Sequence, residues 1–153
     1  MRVEKSNIEE LIAYMVQLVP LDSIRQAGKV DYQVTASQNI KSVHVDLAGA
    51  LFFLISELVA NSLLHGYPEV GDPKITVSLT LDEAKKEYTL VVKDNGTGFP
   101  RELFDAKVIE SLGLYYVKLY GKAELGGTTQ LETSSDGTVW TFVFPVGYRR
   151  ELR

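Results

Sequence analysis

The sequence predicts a two-layer α/β sandwich, with a mixed, mostly antiparallel sheet covered by helices on one face. Two observations carry this prediction. Some segments alternate apolar and polar residues, as half-buried strands do, while others place apolar residues at helical spacing. The two kinds follow one another as α-β-β-α-β-β-loop-α-β-β, without the strict β-α alternation of a doubly wound fold. At 153 residues the chain fits one domain, 1–153, able to bury a core of its own.

The first element is a helix over about 7–19, where Ile8, Leu11, Ile12, Met15, Val16 and Val19 recur at helical spacing until Pro20. Ser6 and Glu9 have the spacing of a capping box at its start. Beyond Gly28, Val30, Tyr32 and Val34 alternate with Asp31, Gln33 and Thr35 as a strand, and Val43 with Val45 marks a second, short one. A long helix runs from Asp46 to about His65 and ends at Gly66-Tyr67-Pro68. After the turn Gly71-Asp72-Pro73, the strand Ile75–Leu81 and the strand Tyr88–Asp94 form a hairpin across the charged stretch Asp82–Glu87. Asn95-Gly96-Thr97-Gly98-Phe99-Pro100 and a loop of about 12 residues come next, and a helix runs from near Ser111 to about Leu125. Gly126-Gly127 leads into a last pair of strands that turn at Asp136-Gly137 and end in the β-forming run Val139–Phe144.

Composition narrows the chemistry. Sixteen Lys plus Arg against 20 Asp plus Glu leave a net charge of −4, unlike the dominant basic surface of a sequence-independent nucleic-acid binder. Cysteine is absent, which excludes thiol catalysis, thiolate metal sites and disulfides. The N-terminus shows no secretory pattern, and the most apolar stretch, Leu47–Ala60, contains Glu57 and falls short of the roughly 20 apolar residues of a membrane span. The expected setting is therefore cytoplasmic, alone or as the cytoplasmic portion of a larger sensor, without direct membrane contact.

Three polar features interrupt what should be core. The helix Asp46–His65 is apolar around most of its circumference, yet Glu57 and Asn61, four residues apart, share a face with Leu64 and His65 one turn on. A buried carboxylate is costly unless it is paired or holds a cation, so the stripe either faces a site or touches solvent between sheet and helix. Asp94 is in phase with Tyr88, Leu90 and Val92 and so points to the buried side, just before Gly96 and Gly98, where glycine permits φ > 0. Turn chemistry accounts for the glycines but not for that phase. Ser111-Leu112-Gly113-Leu114 opens a helix, whose N-terminus either binds phosphate or is simply capped by serine. Other phosphate motifs fail: Gly66–Gly71 and Gly121–Gly126 have the spacing of a P-loop but lack its Lys-Ser/Thr, and Gly96-x-Gly98 lacks the third glycine of a dinucleotide fingerprint. Two histidines, His44 and His65, are too few for a histidine-based zinc site, and His44, between valines, reads as structural.

Together these motifs resemble the gyrase–histidine kinase–MutL ATPase superfamily. Glu57-Leu58-Val59-Ala60-Asn61-Ser62-Leu63-Leu64-His65 is similar to its N box, Asp94-Asn95-Gly96-Thr97-Gly98 to its G1 box and Ser111-Leu112-Gly113-Leu114 to its G2 box. Gly137-Thr138 matches the Gly-Thr that closes the adenine pocket. The resemblance covers roughly residues 8–146 and is nearest to sensor histidine kinases with a short lid. It implies a Bergerat-type ATP site. There Glu57 is the catalytic residue, orienting or deprotonating the attacking group, and Asn61 holds Mg²⁺. Asp94 accepts from the adenine amino group. Asn61, His65, Asp94, Gly96, Gly98, Leu112, Gly113, Leu114 and Thr138 bind ATP, and Arg101 and Lys107 lie in the lid, residues 99–110.

The implied function is the ATP-binding catalytic domain of a two-component sensor histidine kinase. It passes the γ-phosphoryl group to a histidine on a separate dimerisation domain, in cis or in trans, and thence to a response regulator. Nothing here matches the phosphoacceptor histidine or a sensor domain. One departure stands out: kinases of this kind usually carry Lys or Arg three residues after the Asn, where this sequence has Leu64. That leaves two alternatives open. Asn61-Ser62-Leu63-Leu64-His65-Gly66-Tyr67 also looks like the N box of anti-sigma-type serine kinases, and a domain without the cation could be an ATP-responsive binding module that transfers nothing.

Overall fold

The structure, a computed structural model, describes residues 1–18, 30–66, 72–106 and 112–147. Strand β1 (Arg2–Glu4) leads into helix α1 (Lys5–Leu18), followed by β2 (Asp31–Ala36), β3 (Ser42–His44) and the long helix α2 (Val45–Gly66). The hairpin β4 (Lys74–Asp82) and β5 (Glu87–Asp94) comes next. Then follow the short helix α3 (Arg101–Asp105), helix α4 (Leu112–Leu119) with a π-helical turn over Tyr120–Glu124, and the closing hairpin β6 (Thr128–Ser134) and β7 (Gly137–Pro145).

Five strands form the main sheet in the order β2-β4-β5-β7-β6. β2 runs parallel to β4, and every other pairing is antiparallel. Alternation decides which face is buried. Ile75, Val77 and Leu79 of β4, Leu90 and Val92 of β5, and Trp140, Phe142 and Phe144 of β7 are all buried, while Thr76, Ser78, Thr89 and Thr141 between them keep contact with solvent. Against the buried face α2 lays Leu51, Leu54, Ile55, Leu58 and Val59, and α1 adds Ile8 and Ile12. Burying one such side chain contributes about 1.5–3 kcal/mol, so α2 is held by its packing more than by its β-branched and aromatic residues' modest helix propensity.

The stretch Val45–Leu63 of α2 is long and apolar enough to cross a membrane, with mean hydropathy 1.5 over 19 residues. Glu57 does not shorten it as the sequence suggested, but half of it is buried on this sheet, so it is the core helix of the domain.

Boundaries differ from expectation where tertiary contacts override local signals. α1 begins at Lys5, so the backbone of Ser6 lies inside the helix and not at the N-cap position; the Lys5 N–H donates to the Lys41 carbonyl and its ammonium pairs with Glu9 at 3.6 Å. Val45 is not in a strand but opens α2, where His44 Nδ1 accepts from the Asp46 N–H (3.1 Å). That contact explains the structural histidine. β1 pairs antiparallel with β3 in a separate two-stranded sheet, an element too short to show in the sequence pattern. The loop after Gly98 contains α3, and the expected helix to Leu125 breaks into α4 and the π-helical turn, which the Leu125 N–H closes on the Tyr120 carbonyl. Pro20, Gly28, Tyr67–Gly71, Lys107 and Ser111 lie outside the described residues.

Candidate functional site

Strand register brings three polar residues, Asp94, Thr138 and Thr133, onto one rung with Ile75. Ile75 pairs with Asp94, Asp94 with Thr138 and Thr138 with Thr133, and α2 crosses above them with Ser62. Among the described residues the buried polar or charged ones are Ser62, Asp94 and Thr138, exposed by 5%, 4% and 2%, and all three meet. Asp94 Oδ1 accepts from the N–H groups of Gly96 (3.0 Å) and Thr138 (3.1 Å). Its Oδ2 accepts from the Ser62 hydroxyl at 2.7 Å. Burial pushes the Asp94 carboxyl above its usual range, and the three hydrogen bonds pull part of the way back. A carboxylate has about four lone-pair sites. Three are taken, so one on Oδ2 remains.

That oxygen borders a crevice of about 160 Å³ lined by Asn61, Ser62, Asp94, Gly98, Phe99, Thr138 and Trp140. Asn61 Nδ2 is buried here and has no partner among the described residues, an expensive state for an amide unless a ligand completes it. The crevice is narrow. Phe99 packs edge-on to Trp140 (5.5 Å, 67°), and the walls leave no room for a water-sized sphere. On its other side the Gly98–Phe99 segment walls an open groove of about 830 Å³ that also touches Arg101, Thr133 and Ser134.

Of the two glycines after Asp94, only Gly98 has a positive φ (+104°), and a Cβ there would lie 2.6 Å from the Ser134 carbonyl oxygen. The glycine lets the loop press against the end of β6. Gly96, expected to need the same freedom, instead contributes its N–H to Asp94. Asn95, which the motif reading passed over, ties the loop to the start of β4: it accepts from the Lys74 N–H (2.7 Å) and donates to the Asp72 carbonyl (2.8 Å).

Glu57 sits one turn before Asn61 on α2, and its carboxylate lies where a Cβ on Gly113 would have to go. The N box and the start of α4 are therefore in contact. A negative group at a helix N-terminus is favourable. Leu114 is buried beneath this contact, while His65 and Leu112 are placed by backbone only, in the last turn of α2 and the first of α4. The Thr138 hydroxyl is 3.2 Å from that of Thr133, which accepts from the Phe99 N–H (2.7 Å). Arg101 turns to the β6 edge: its guanidinium donates to the Leu131 carbonyl and to Asp105 (3.1 Å). Lys118 of α4 holds the C-terminal end of α3, donating to the Phe104 carbonyl at 2.7 Å with its ammonium over that ring.

A helix-covered sheet with a buried, hydrogen-bonded aspartate beneath an asparagine-bearing helix defines a nucleotide-binding ATPase domain. The chain belongs to the family of histidine kinase-, DNA gyrase B-, and HSP90-like ATPases, which it matches over residues 47–148. It is 28% identical over 153 residues to the sensor histidine kinase PdtaS of Mycobacterium tuberculosis, an alignment covering 97% of this chain and 29% of that protein. The chain thus spans less than a third of the curated relatives it matches. Its fold is similar to the histidine kinase domain of the Erythrobacter litoralis EL346 blue-light activated histidine kinase (TM-score 0.70, 22% identity, 90% of this chain and 61% of that one). It is also similar to the catalytic domain of the histidine kinase ThkA (TM-score 0.69, 19% identity, 95% and 96%). Family membership makes the chain an ATPase-type nucleotide-binding domain.

Proposed function

We propose that the domain binds ATP with its adenine in the crevice over Asp94 and its phosphates between Asn61 and the first turn of α4. It then transfers the γ-phosphoryl group to a histidine on a separate domain. The observation that supports this most directly is the buried Asp94 carboxylate. Its inward lone pairs are filled by Gly96, Thr138 and Ser62, and the remaining one suits a single amino donor.

In this reading Thr138 lines the base pocket, Gly98 and Phe99 form its movable wall, and the backbone of Leu112, Gly113 and Leu114 approaches the phosphates. Glu57 orients the attacking imidazole and takes its proton. Mg²⁺ suits the residues present: the amide oxygen of Asn61 is a hard ligand of the kind this ion takes, and the ion is commonly held by one or two protein groups with phosphates and water completing six ligands. When bound, it neutralises phosphate charge. His65 borders the nucleotide, and α3 with Arg101, together with Lys107, forms the lid. The phosphohistidine would in turn supply a response regulator, all on the cytoplasmic side.

The test is transfer from γ-labelled ATP, with magnesium present, to a phosphoacceptor domain from a sensor kinase. Label on histidine that depends on Glu57 and Asn61 supports the reading. Label on serine would move the chain to the serine kinases, and nucleotide binding without label to a purely responsive module.

A further inference from the structure

We infer that Ser62 is a positioning residue of the base pocket: its hydroxyl anchors Asp94 Oδ2 so that the last free lone pair of that oxygen faces the incoming amino group. The inference rests on the proposed adenine site over Asp94 and goes beyond it, because Ser62 carries none of the roles that the motifs assign.

The geometry is specific. Oδ1 is filled by two backbone donors that no side-chain substitution removes. Oδ2 has one donor, and it comes from a different layer of the fold, 32 residues back on α2. The Ser62–Asp94 bond therefore joins the helix layer to the sheet beside Asn61, whose Nδ2 has no partner among the described residues. Hydroxyl-to-carboxylate bonds are among the stronger ones. With its hydrogen committed to Asp94, Ser62 has none to offer a base carbonyl. The pocket thereby favours an amino group over an oxygen at that edge.

The bond also favours the ionised, accepting form of Asp94 against the effect of its burial. Among the described residues lining the crevice, Asp94 is the only ionisable one. Among the described residues, α2 contributes Asn61 and Ser62 to the crevice beside Asp94. β4 presents Ile75, β7 presents Thr138 and Trp140, and the loop presents Gly98 and Phe99.

ATP titrations by calorimetry on this chain, from pH 5 to 9, test the inference with Ser62→Ala, Ser62→Cys and Asp94→Asn. Ser62→Ala should weaken ATP binding roughly tenfold at neutral pH and move the acid limb of the affinity profile to higher pH. Ser62→Cys, a weaker donor, should fall between. A Ser62→Ala profile that superimposes on wild type, or one uniformly lower with no displacement, would overturn the positioning role. Full-strength binding by Asp94→Asn would overturn the adenine reading itself, and the Ser62 inference with it.

Discussion

The carboxylate of Glu57 fills the space that a side chain on Gly113 would need. The contact joins two motifs 56 positions apart in the sequence, and it makes the glycine a requirement of close approach. The colliding atoms belong to the flexible end of a glutamate, so Gly113→Ala should fold with less than about 1 kcal/mol lost but swing the carboxylate aside. Transfer should then fall at least tenfold while ATP affinity changes little. Labelled-ATP transfer and calorimetry on the same variant check this, and an equal loss in both would count against a role for Glu57 in the transfer step.

Asp94 is held in the fold with its carboxyl above the usual range, chiefly by burial. An acid shifted upward lends stability that is complete below its unfolded pKa and disappears as pH rises through the folded one. Ionised Asp94 is thus a stability cost at neutral pH. Asp94→Asn should raise the thermal midpoint at pH 7.5, and that difference should vanish below about pH 4, while ATP binding is lost. Thermal melts at the two pH values decide it.

Trp140 is the single tryptophan of the chain, and it lies between Phe99 and Phe104, whose rings meet it edge-on at 5.5 and 5.1 Å. Phe99 and Trp140 both line the crevice beside Asp94, so a base bound there as proposed would press on their contact. Intrinsic emission should therefore change in a saturable way with ATP, and an unresponsive Trp140 at saturating nucleotide would place the base elsewhere.

Phe104 anchors α3 on the same indole and on Lys118. Phe104→Ala removes a buried ring (8% exposed) and should lower stability by about 3 kcal/mol. It should also shift Trp140 emission to the red and speed ATP association, measured by stopped-flow fluorescence. Slower association would mean that α3 guides the nucleotide instead of barring it.

Leu64 stands where kinases with this N box usually present a cation toward the phosphates. Leu64→Lys should raise the transfer rate several-fold at unchanged base recognition, read as kcat against KM for ATP. A lower rate would show that this domain places its phosphates away from that turn.

Much of the fold was legible because alternation and helical spacing record burial directly. The phase of Asp94 with Tyr88, Leu90 and Val92 correctly placed it on the inner face, and the circumference of α2 identified a core helix. Less was legible where short elements rest on distant partners. β1 exists through β3, and α3 sits on Trp140 and the β6 edge. Ser62 escaped notice because serine on a helix carries no signal until its partner is known, and Asn95 because its side chain serves β4 across the loop.

By itself, then, the sequence determined the sandwich and its motifs, and so the family, because side-chain periodicity and local turn chemistry are properties of neighbours along the chain. Only the tertiary structure decided that Ser62 donates to Asp94, that Glu57 meets Gly113 and that Phe99 packs on Trp140 at the crevice. Those contacts follow from strand register and helix docking, which bring together residues far apart in the sequence.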